Sequence, residues 1–268
     1  MVAQLRTVST WLRCVSIGCL GLALSSCQKA DTGQASMTRS ATPSAVPMLG
    51  AKERCLSAPH GWWSFRTPIG TGNADVWNPQ GPYRLCLSVS GRDFRQHWEF
   101  SSASRVVQAF PHIDLPWKLP LRWTQTRGKP ITLSWQNRCT GSCRDDLGFD
   151  FWLSASMHPV PFRAGDGMEV MVLPDYRAFQ PPSSSYLGVL NISGSGWSVY
   201  RFPVGNGWPL LQVIGPAGSS QASLNPLSIL RALAQDGWIP QEDHFVTVAD
   251  LGTEIVSGSG SGSVMILK

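Results

Sequence analysis

The segment "GFDFWLSAS", Gly148 to Ser156, alternates between two kinds of side chain. Successive residues of a β-strand point to opposite faces of the sheet. A strand here would therefore place Phe149 and Phe151 on one face and Asp150 and Trp152 on the other. The aromatic face is suited to a core, whereas the other face carries one acid beside a large apolar ring.

A second segment, "MEVMVL" at Met168 to Leu173, follows the same rule. It predicts a strand with Glu169 and Met171 on one face and Val170 and Val172 on the other. An isolated acid in such a strand most often faces water at the edge of a sheet. Burying an ionised carboxylate costs several kcal/mol unless the group is paired. Two acids in two apolar strands therefore favour a functional role.

Short apolar or alternating runs recur through the rest of the chain, with turn residues between them. They are "YRLCLSVS", "HWEFSS", "RVVQAF", "ITLSWQ", "FDFWLSAS", "MEVMVL", "YLGVLNI", "WSVYRF", "LLQVIG", "HFVTVAD" and "SVMILK". This density of strands predicts an all-β fold, a two-sheet jelly-roll sandwich of the concanavalin-like type.

One segment departs from the strand pattern and predicts a single packed helix. Asn225 is suited to the N-cap, Pro226 to the first helical position, and Gly237 to the stop. Ile229 and Leu233 lie at helical spacing between them.

The N-terminus predicts export and a lipid anchor. Arg6 and Arg13 precede an apolar run that is too short to span a membrane and ends in Leu24-Ser-Ser-Cys27. We interpret residues 1–27 as a lipoprotein signal whose cleavage leaves Cys27 to be lipidated. An ordinary signal peptide with a chance cysteine is the alternative. The expected location is the outer membrane, in the periplasm or at the cell surface, or otherwise the secreted fraction.

Composition separates a tether from the folded domain. Residues 28–53 are rich in Ser, Thr, Ala and Pro and predict a flexible tether, and residues 54–268 form the domain. The net charge of +5 falls to +3 without Arg6 and Arg13, and no basic cluster is present, which argues against nucleic acid as a partner. Twelve Trp against four Tyr are typical of exported domains that stack on sugars, although Trp also fills cores.

Four cysteines remain in the predicted domain, namely Cys55, Cys86, Cys139 and Cys143. An even number in an exported chain predicts two disulfides. Cys139 and Cys143 enclose a Gly turn and can close a short loop, which leaves Cys55 to pair with Cys86. A zinc site is the alternative, but the short spacing lacks companion His ligands.

Five stretches, in order along the chain, resemble glycoside hydrolase family 12, the endo-β-1,4-glucanases and xyloglucanases of jelly-roll fold. Asn73–Trp77 is similar to the family's Asn-Asn-x-Trp segment, and Val106–Ile113 to Val-Lys-Ser-Tyr-Pro-Asn-Ile. Phe149–Trp152 resembles Tyr-Asp-Ile/Leu-Trp, and Glu169–Leu173 resembles the nucleophile strand Glu-Ile-Met-Ile-Trp-Leu. Gly252–Gly260, "GTEIVSGSG", resembles the acid/base motif Gly-Thr-Glu-Pro-Phe-Thr-Gly-Ser-Gly.

The resemblance implies a retaining β-1,4-glucan hydrolase. Glu169 would be the nucleophile, Glu254 the general acid/base, and Asp150 the neighbour that helps to set the protonation of Glu169. Trp77 would be a platform for a glucosyl unit, and Met171 would pack under the sugar.

Other implications are less specific to single motifs. Trp98 would line the same groove or belong to the core. The expected protein is a monomer that binds β-glucan and a membrane, with no cofactor and no metal. A non-catalytic carbohydrate-binding jelly roll and a structural envelope lipoprotein are the alternatives.

Four departures from the family motifs affect the predicted site. Leu173 replaces Trp, which predicts that one aromatic wall of the cleft is missing. Ile255 and Val256 replace Pro-Phe after the predicted acid/base, which changes the expected stiffness of that segment. Phe149 replaces Tyr and removes a hydroxyl group.

Overall fold

The structure is a computed structural model that describes residues 48–57, 61–123, 131–205, 207–218, 220–240 and 244–266. These residues form a β-protein with one α-helix, α1, at Pro226–Gln235. The strands are β1 Arg54–Leu56, β2 Gly61–Thr67, β3 Gly70–Val76, β4 Tyr83–Ser90, β5 Asp93–Phe100, β6 His112–Asp114, β7 Leu121–Arg122, β8 Ile131–Ser154, β9 Met168–Tyr176, β10 Tyr186–Ile192, β11 Ser195–Val204, β12 Trp208–Ile214, β13 Gln221–Leu224 and β14 Phe245–Ile266.

Two long strands, β8 and β14, organise the sheet. They pair antiparallel along almost their whole length, from Phe245 opposite Ser154 to Ile266 opposite Leu133. The strand order on the main path is β1-β4-β5-β14-β8-β9-β12-β11-β10, and β2, β3 and β6 continue from β14 on a branch. Only the β9–β12 ladder is parallel among the ladders of the described strands.

The apolar residues form two main clusters. The first joins one face of β8, β9, β11 and β12 to the helix and contains Phe149, Phe151, Val170 and Val172. The second joins β2 to β5 and includes Ile255 of β14. The alternation predicted for the two segments is therefore confirmed, because their apolar faces are buried in one core.

Helix α1 is as predicted. The side chain of Asn225 accepts a hydrogen bond from the backbone N–H of Ser228 at 3.2 Å, as an N-cap does. Ile229 and Leu233 are buried in the first apolar cluster. Gly237, just beyond the helix, has a positive φ of 73°, a conformation that favours glycine.

Some segments predicted as separate strands belong to one longer strand in the structure. "ITLSWQ" and "FDFWLSAS" belong to the single strand β8, and "HFVTVAD" and the described part of "SVMILK" belong to β14. The turn at Cys139–Cys143 does not end β8, because register shifts near Ser257 and Ser259 of β14 keep the ladder paired around it.

The predicted strand "RVVQAF" is wrong. In this segment only Ala109 makes bridges, to Val76 and Ile255. Val106 is exposed, and its backbone N–H donates to the hydroxyl of Ser104 at 3.0 Å. Local hydrogen bonds to side chains compete with a strand ladder here.

The hairpin of β2 and β3 is absent from the predicted strands, since its run of Gly, Thr, Ser and Asn hides the alternation.

The folded domain begins earlier in the chain than the predicted start at residue 54. Leu49 is buried, and its N–H donates to the carbonyl of Arg66 at 2.8 Å. The signal, residues 28–47 of the tether and Cys27 lie outside the described residues.

Both predicted disulfides are present. Cys55 and Cys86 are directly opposite each other on β1 and β4, and Cys139 bonds to Cys143 within β8. Among the described residues, no helix has the length and apolar character needed to cross a membrane.

Gly260 is required by close packing against Trp98. A Cβ atom there would lie 2.6 Å from the Trp98 ring and 2.8 Å from the carbonyl oxygen of Arg138. We expect Gly260→Ala to lower the free energy of unfolding by about 1–3 kcal/mol in urea titrations. Gly50→Ala is the matched control, because nothing lies within 4 Å of its Cβ position. Equal stability of the two variants would contradict this packing argument.

Candidate active site

The strand register brings five acids to one face of the sheet. Asp150 of β8 is opposite Asp250 of β14, and Asp146 is opposite Glu254. On the other side of β8, Trp152 is opposite Glu169 of β9. Residues directly opposite in antiparallel strands share a face, so all five acids point away from the apolar core. We call this set, Asp146, Asp150, Glu169, Asp250 and Glu254, the acidic face.

Glu169 is buried, with 7% of its surface exposed. The indole N–H of Trp208 donates to its Oε2 at 2.7 Å. Burial raises the pKa of Glu169 to about 7, and the bond from Trp208 acts in the opposite direction because it stabilises the charged form. Glu169 can therefore be ionised near neutral pH despite its burial.

Glu254 shares its environment with Asp146. Burial and, as the second cause, the charge of Glu169 together raise the pKa of Glu254 to about 8. The pKa of Asp146 is raised well above its ordinary value, first by burial and then by the charge of Glu254. Glu254 is the side chain that faces Asp146, and a hydrogen bond between the two carboxyl groups needs a proton on one of them. Two carboxyl groups in this position share a proton, because both cannot ionise at low cost.

The environment of Asp150 also disfavours its charged form. Burial, followed by the charges of Glu169 and Asp250, raises its pKa well above the ordinary value. Its Oδ1 has no hydrogen-bond donor among the described residues. The structure thus places Asp150 near Glu169, and its role in setting the protonation of Glu169 stays a prediction.

The segment around Glu254 is a strand held by close contacts. Gly252 passes so near β6 that a Cβ atom would lie 2.5 Å from the carbonyl oxygen of Pro111. Ile255 donates its backbone N–H to Ala109 at 2.8 Å. Ile255 and Val256 are fully buried, so the residues that replace Pro-Phe anchor the segment.

A histidine lies beside the acidic face. Nε2 of His112 is 3.8 Å from carboxyl oxygens of both Asp114 and Asp250, and 3.0 Å from Nδ2 of Asn73. Its Nδ1 lies 2.7 Å from the Phe110 carbonyl, which can only accept, so Nδ1 carries a proton. With the proton on Nδ1, Nε2 can accept a hydrogen bond from the Asn73 amide, and burial lowers the pKa of His112, so the ring is neutral and hydrogen-bonded on both nitrogens. We do not assign this group as a metal site. The other groupings of metal-type ligands among the described residues contain disulfide cysteines.

Two tryptophans lie exposed at one end of the same face. Trp77, predicted as a sugar platform, is 47% exposed just beyond β3. Trp62, which the sequence reasoning missed, is 56% exposed and opposite Asp75 on β3. Asp75 is two residues from Asn73, which is opposite His112, so this end joins the acidic face through β6.

Two predicted binding residues are buried. Trp98 is fully buried in the second apolar cluster, so its place is the core and the groove alternative is wrong. Met171 is opposite Asp150 but only 3% exposed, and it packs with Leu173 and Leu210. It lies on the acidic face itself, beside Glu169 and Asp150.

The sequence reasoning also missed Asp146, Asp250 and Trp208. The sequence does contain a signal for the first two. Asp146 precedes Asp150, and Asp250 precedes Glu254, by an even number of positions, and residues at even spacing in a strand share a face. Trp208 has no such signal, because its side chain reaches Glu169 from a separate hairpin.

The chain was compared with known proteins. No protein-family profile matches it. Endoglucanase S of Pectobacterium parmentieri is 23% identical over 234 residues, which are 82% of this chain and 86% of the relative.

Solved structures share the fold. Endoglucanase 3 of Trichoderma harzianum, from family GH12, superposes with a TM-score of 0.67 at 19% identity, over 80% of this chain and 97% of that chain. A family 12 xyloglucanase from Bacillus licheniformis gives 0.65 at 20% identity, over 79% and 97%. The xyloglucanase domain of NopAA from Sinorhizobium fredii, solved with cellobiose, gives 0.60 at 16%, over 80% and 96%. These findings confirm the predicted resemblance and the jelly-roll sandwich.

The burial of acids makes a prediction for stability. Burial raises the pKa of Asp250 from 3.8 to about 8, so the folded state holds a proton that the unfolded state releases. Stability is therefore greatest at acidic pH and is lost as the pH rises toward 8, by up to about 1.4 kcal/mol per pH unit for each such group. Asp250→Asn should flatten this slope in urea unfolding between pH 5 and pH 8.

Asp166→Asn is the control for this experiment, since Asp166 lies outside the acidic face beside Arg163. It should leave the slope as in the wild type. An unchanged slope in Asp250→Asn would show that folding does not raise the pKa of Asp250 and that the group is already ionised in the folded protein between pH 5 and pH 8.

Proposed function

We propose that this chain, whose sequence and fold resemble those of glycoside hydrolase family 12, hydrolyses internal β-1,4 bonds of a glucan. The observation that carries the proposal is that the strand register places Glu169 and Glu254 on one face, near enough for the charge of Glu169 to raise the pKa of Glu254. Because a negative charge on Glu169 raises the pKa of Glu254, ionised Glu169 favours protonated Glu254, the combination that a nucleophile and a general acid require.

The proposed reaction is a double displacement with retention of configuration. A carboxylate oxygen of Glu169 bonds to the anomeric carbon while the bond to the leaving oxygen breaks, and Glu254 transfers its proton to that oxygen. Water then attacks the same carbon, Glu254 accepts a proton from the water, and the bond to Glu169 breaks. The enzyme returns to its starting protonation state.

Two features support a β-1,4-glucan as the substrate class. Exposed aromatic rings stack on the apolar faces of pyranoses, and Trp62 and Trp77 lie exposed at one end of the acidic face. The similar proteins include endoglucanases and xyloglucanases, and one was solved with cellobiose. We propose β-glucan or xyloglucan as the polymer.

Hydrolysis is tested by reducing-sugar release from carboxymethylcellulose, barley β-glucan and xyloglucan. Glu169→Gln and Glu254→Gln should each lower kcat/KM by about 10³-fold or more, because each removes a group that acts in the transition state. Glu99→Gln, on β5 and half exposed, is the matched control and should retain activity.

Azide distinguishes the two roles. With an activated β-glucoside, Glu254→Ala plus azide should yield the β-glycosyl azide, and Glu169→Ala plus azide the α-product. Wild-type binding without sugar release on all three polymers would favour the alternative of a non-catalytic carbohydrate-binding protein.

We also propose that the protein is an exported monomer held at the outer membrane by lipid on Cys27. The support is in the sequence: two arginines, a short apolar run and Leu24-Ser-Ser-Cys27. Residues 28–47, poor in large apolar side chains, would connect the anchor to the domain.

Metabolic labelling with palmitate tests the anchor. Cys27→Ser should abolish labelling and move the protein from the membrane to the soluble fraction. Cys14→Ser, inside the predicted signal, is the control and should leave labelling intact. Equal labelling of Cys27→Ser and the wild type would refute the anchor.

A further inference from the structure

The nucleophile position is held by a residue that none of the family motifs contains. Trp208 begins β12, and Glu169 is opposite Leu210 of the same strand. The Trp208 indole N–H reaches Oε2 of Glu169 at 2.7 Å. It is the single hydrogen bond to the Glu169 carboxyl group found among the described residues.

The position of the Trp208 ring is restricted by two contacts. Gly205, in the turn before β12, has a φ of 50°, and a Cβ atom there would lie 2.4 Å from the ring. Phe162 meets the ring edge-on, with centroids 6.2 Å apart. The indole therefore has little freedom to turn its N–H away from Glu169.

Phe162 joins this aromatic group under backbone strain. Its φ is 58°, which is rare for an aromatic residue and is typical of functional sites. It is 39% exposed and also contacts Trp152, at 5.3 Å between centroids. Trp152 is the β8 residue opposite Glu169. Trp152 on β8 and Trp208 on β12 thus flank the strand that carries Glu169. Leu173, which stands where the family motif has Trp, is fully buried.

We propose that Trp208 is a positioning residue for the nucleophile: its N–H fixes Oε2 of Glu169 and leaves Oε1 free to attack the anomeric carbon. The role of Glu169 as the attacking group rests on the proposed function. The contact between Trp208 and Glu169 is independent of that function. No proton is transferred in the proposed contact, since the indole only donates a hydrogen bond.

The charges around Glu169 make this donor important. Asp150 faces it from β8, and Glu254 and Asp250 lie beyond on β14. These titratable neighbours are acids, and β12 contributes Leu210 and Gln212 opposite Glu169 and Met171. None of these neighbours carries a positive charge, so the indole N–H of Trp208 is the group that stabilises a negative charge on Glu169.

The test is the pH profile of kcat/KM for Trp208→Phe. The phenyl ring keeps an aromatic group in place and removes the N–H. Loss of a hydrogen bond to the charged form raises the pKa of Glu169, so the acidic limb should move upward by about one pH unit or more. Activity at pH 6 should fall about tenfold, with a smaller loss above pH 8, because Glu254 sets the basic limb.

Trp152→Phe is the matched control. It makes the same change in the same aromatic group, but the Trp152 N–H has no partner among the described residues. Its acidic limb should coincide with that of the wild type. An unmoved limb in Trp208→Phe, or an equal shift in both variants, would overturn the proposal.

A second measurement does not depend on hydrolysis. In protein labelled with ¹³C at the Glu carboxyl carbon, the Glu169 signal is assigned as the one missing from Glu169→Gln. Its titration should move upward by about one unit in Trp208→Phe and stay in place in Trp152→Phe. If the wild type is inactive but Trp208→Phe shows this shift, the proposed function is refuted and the contact with Glu169 is supported. If Trp208→Phe shows no shift, the proposed contact is refuted. Trp208→Leu, also without an N–H, repeats the test if the phenyl variant folds poorly.

Discussion

The antiparallel register of β8 with β14 is the constraint on which the candidate site depends. It places Glu254 opposite Asp146 and Asp250 opposite Asp150, and the register of β8 with β9 adds Glu169. A slip of one residue would turn every acid into the core and every core residue outward. The buried row that includes Phe149 and Phe151 prevents such a slip. The same apolar packing that stabilises the fold therefore aligns the carboxyl groups.

Two adjacent residues show that the acidic face is not simply a set of buried charges. Asp145 and Asp146 point to opposite faces of β8. Asp145 is fully buried and paired with Arg177 at 2.7 Å, the usual solution for a buried carboxylate. Asp146 is as deeply buried, yet it has Glu254 rather than a cation beside it. The two faces of β8 thus treat a buried carboxyl group differently, with a cation on one face and a second acid on the other, and clustered acids with raised pKa values are typical of functional sites.

The fold class, the helix and two acids of the candidate site, Asp150 and Glu169, were predictable from the sequence because each leaves a local pattern. Period-two alternation marks Asp150 and Glu169, and an N-cap followed by Pro marks the helix. Strand continuity was not predictable, because β8 runs through the Cys139–Cys143 turn only while β14 supplies matching register shifts. The core position of Trp98 depends on Gly260, which leaves room for the ring across the β5–β14 ladder. Such features are properties of strand pairs and leave no signal in either strand alone.

The departures from the family motifs follow the same logic. Leu173 lacks the aromatic ring that the motif carries, but rings from Phe162 and Trp208 stand beside Glu169 from other parts of the chain. Ile255 replaces a proline, and its N–H, which proline lacks, donates to Ala109 next to Glu254. In both cases the physical requirement, an apolar wall or a fixed backbone, is met by different residues. A motif read position by position detects the loss, whereas the compensation is visible only in the contacts between strands.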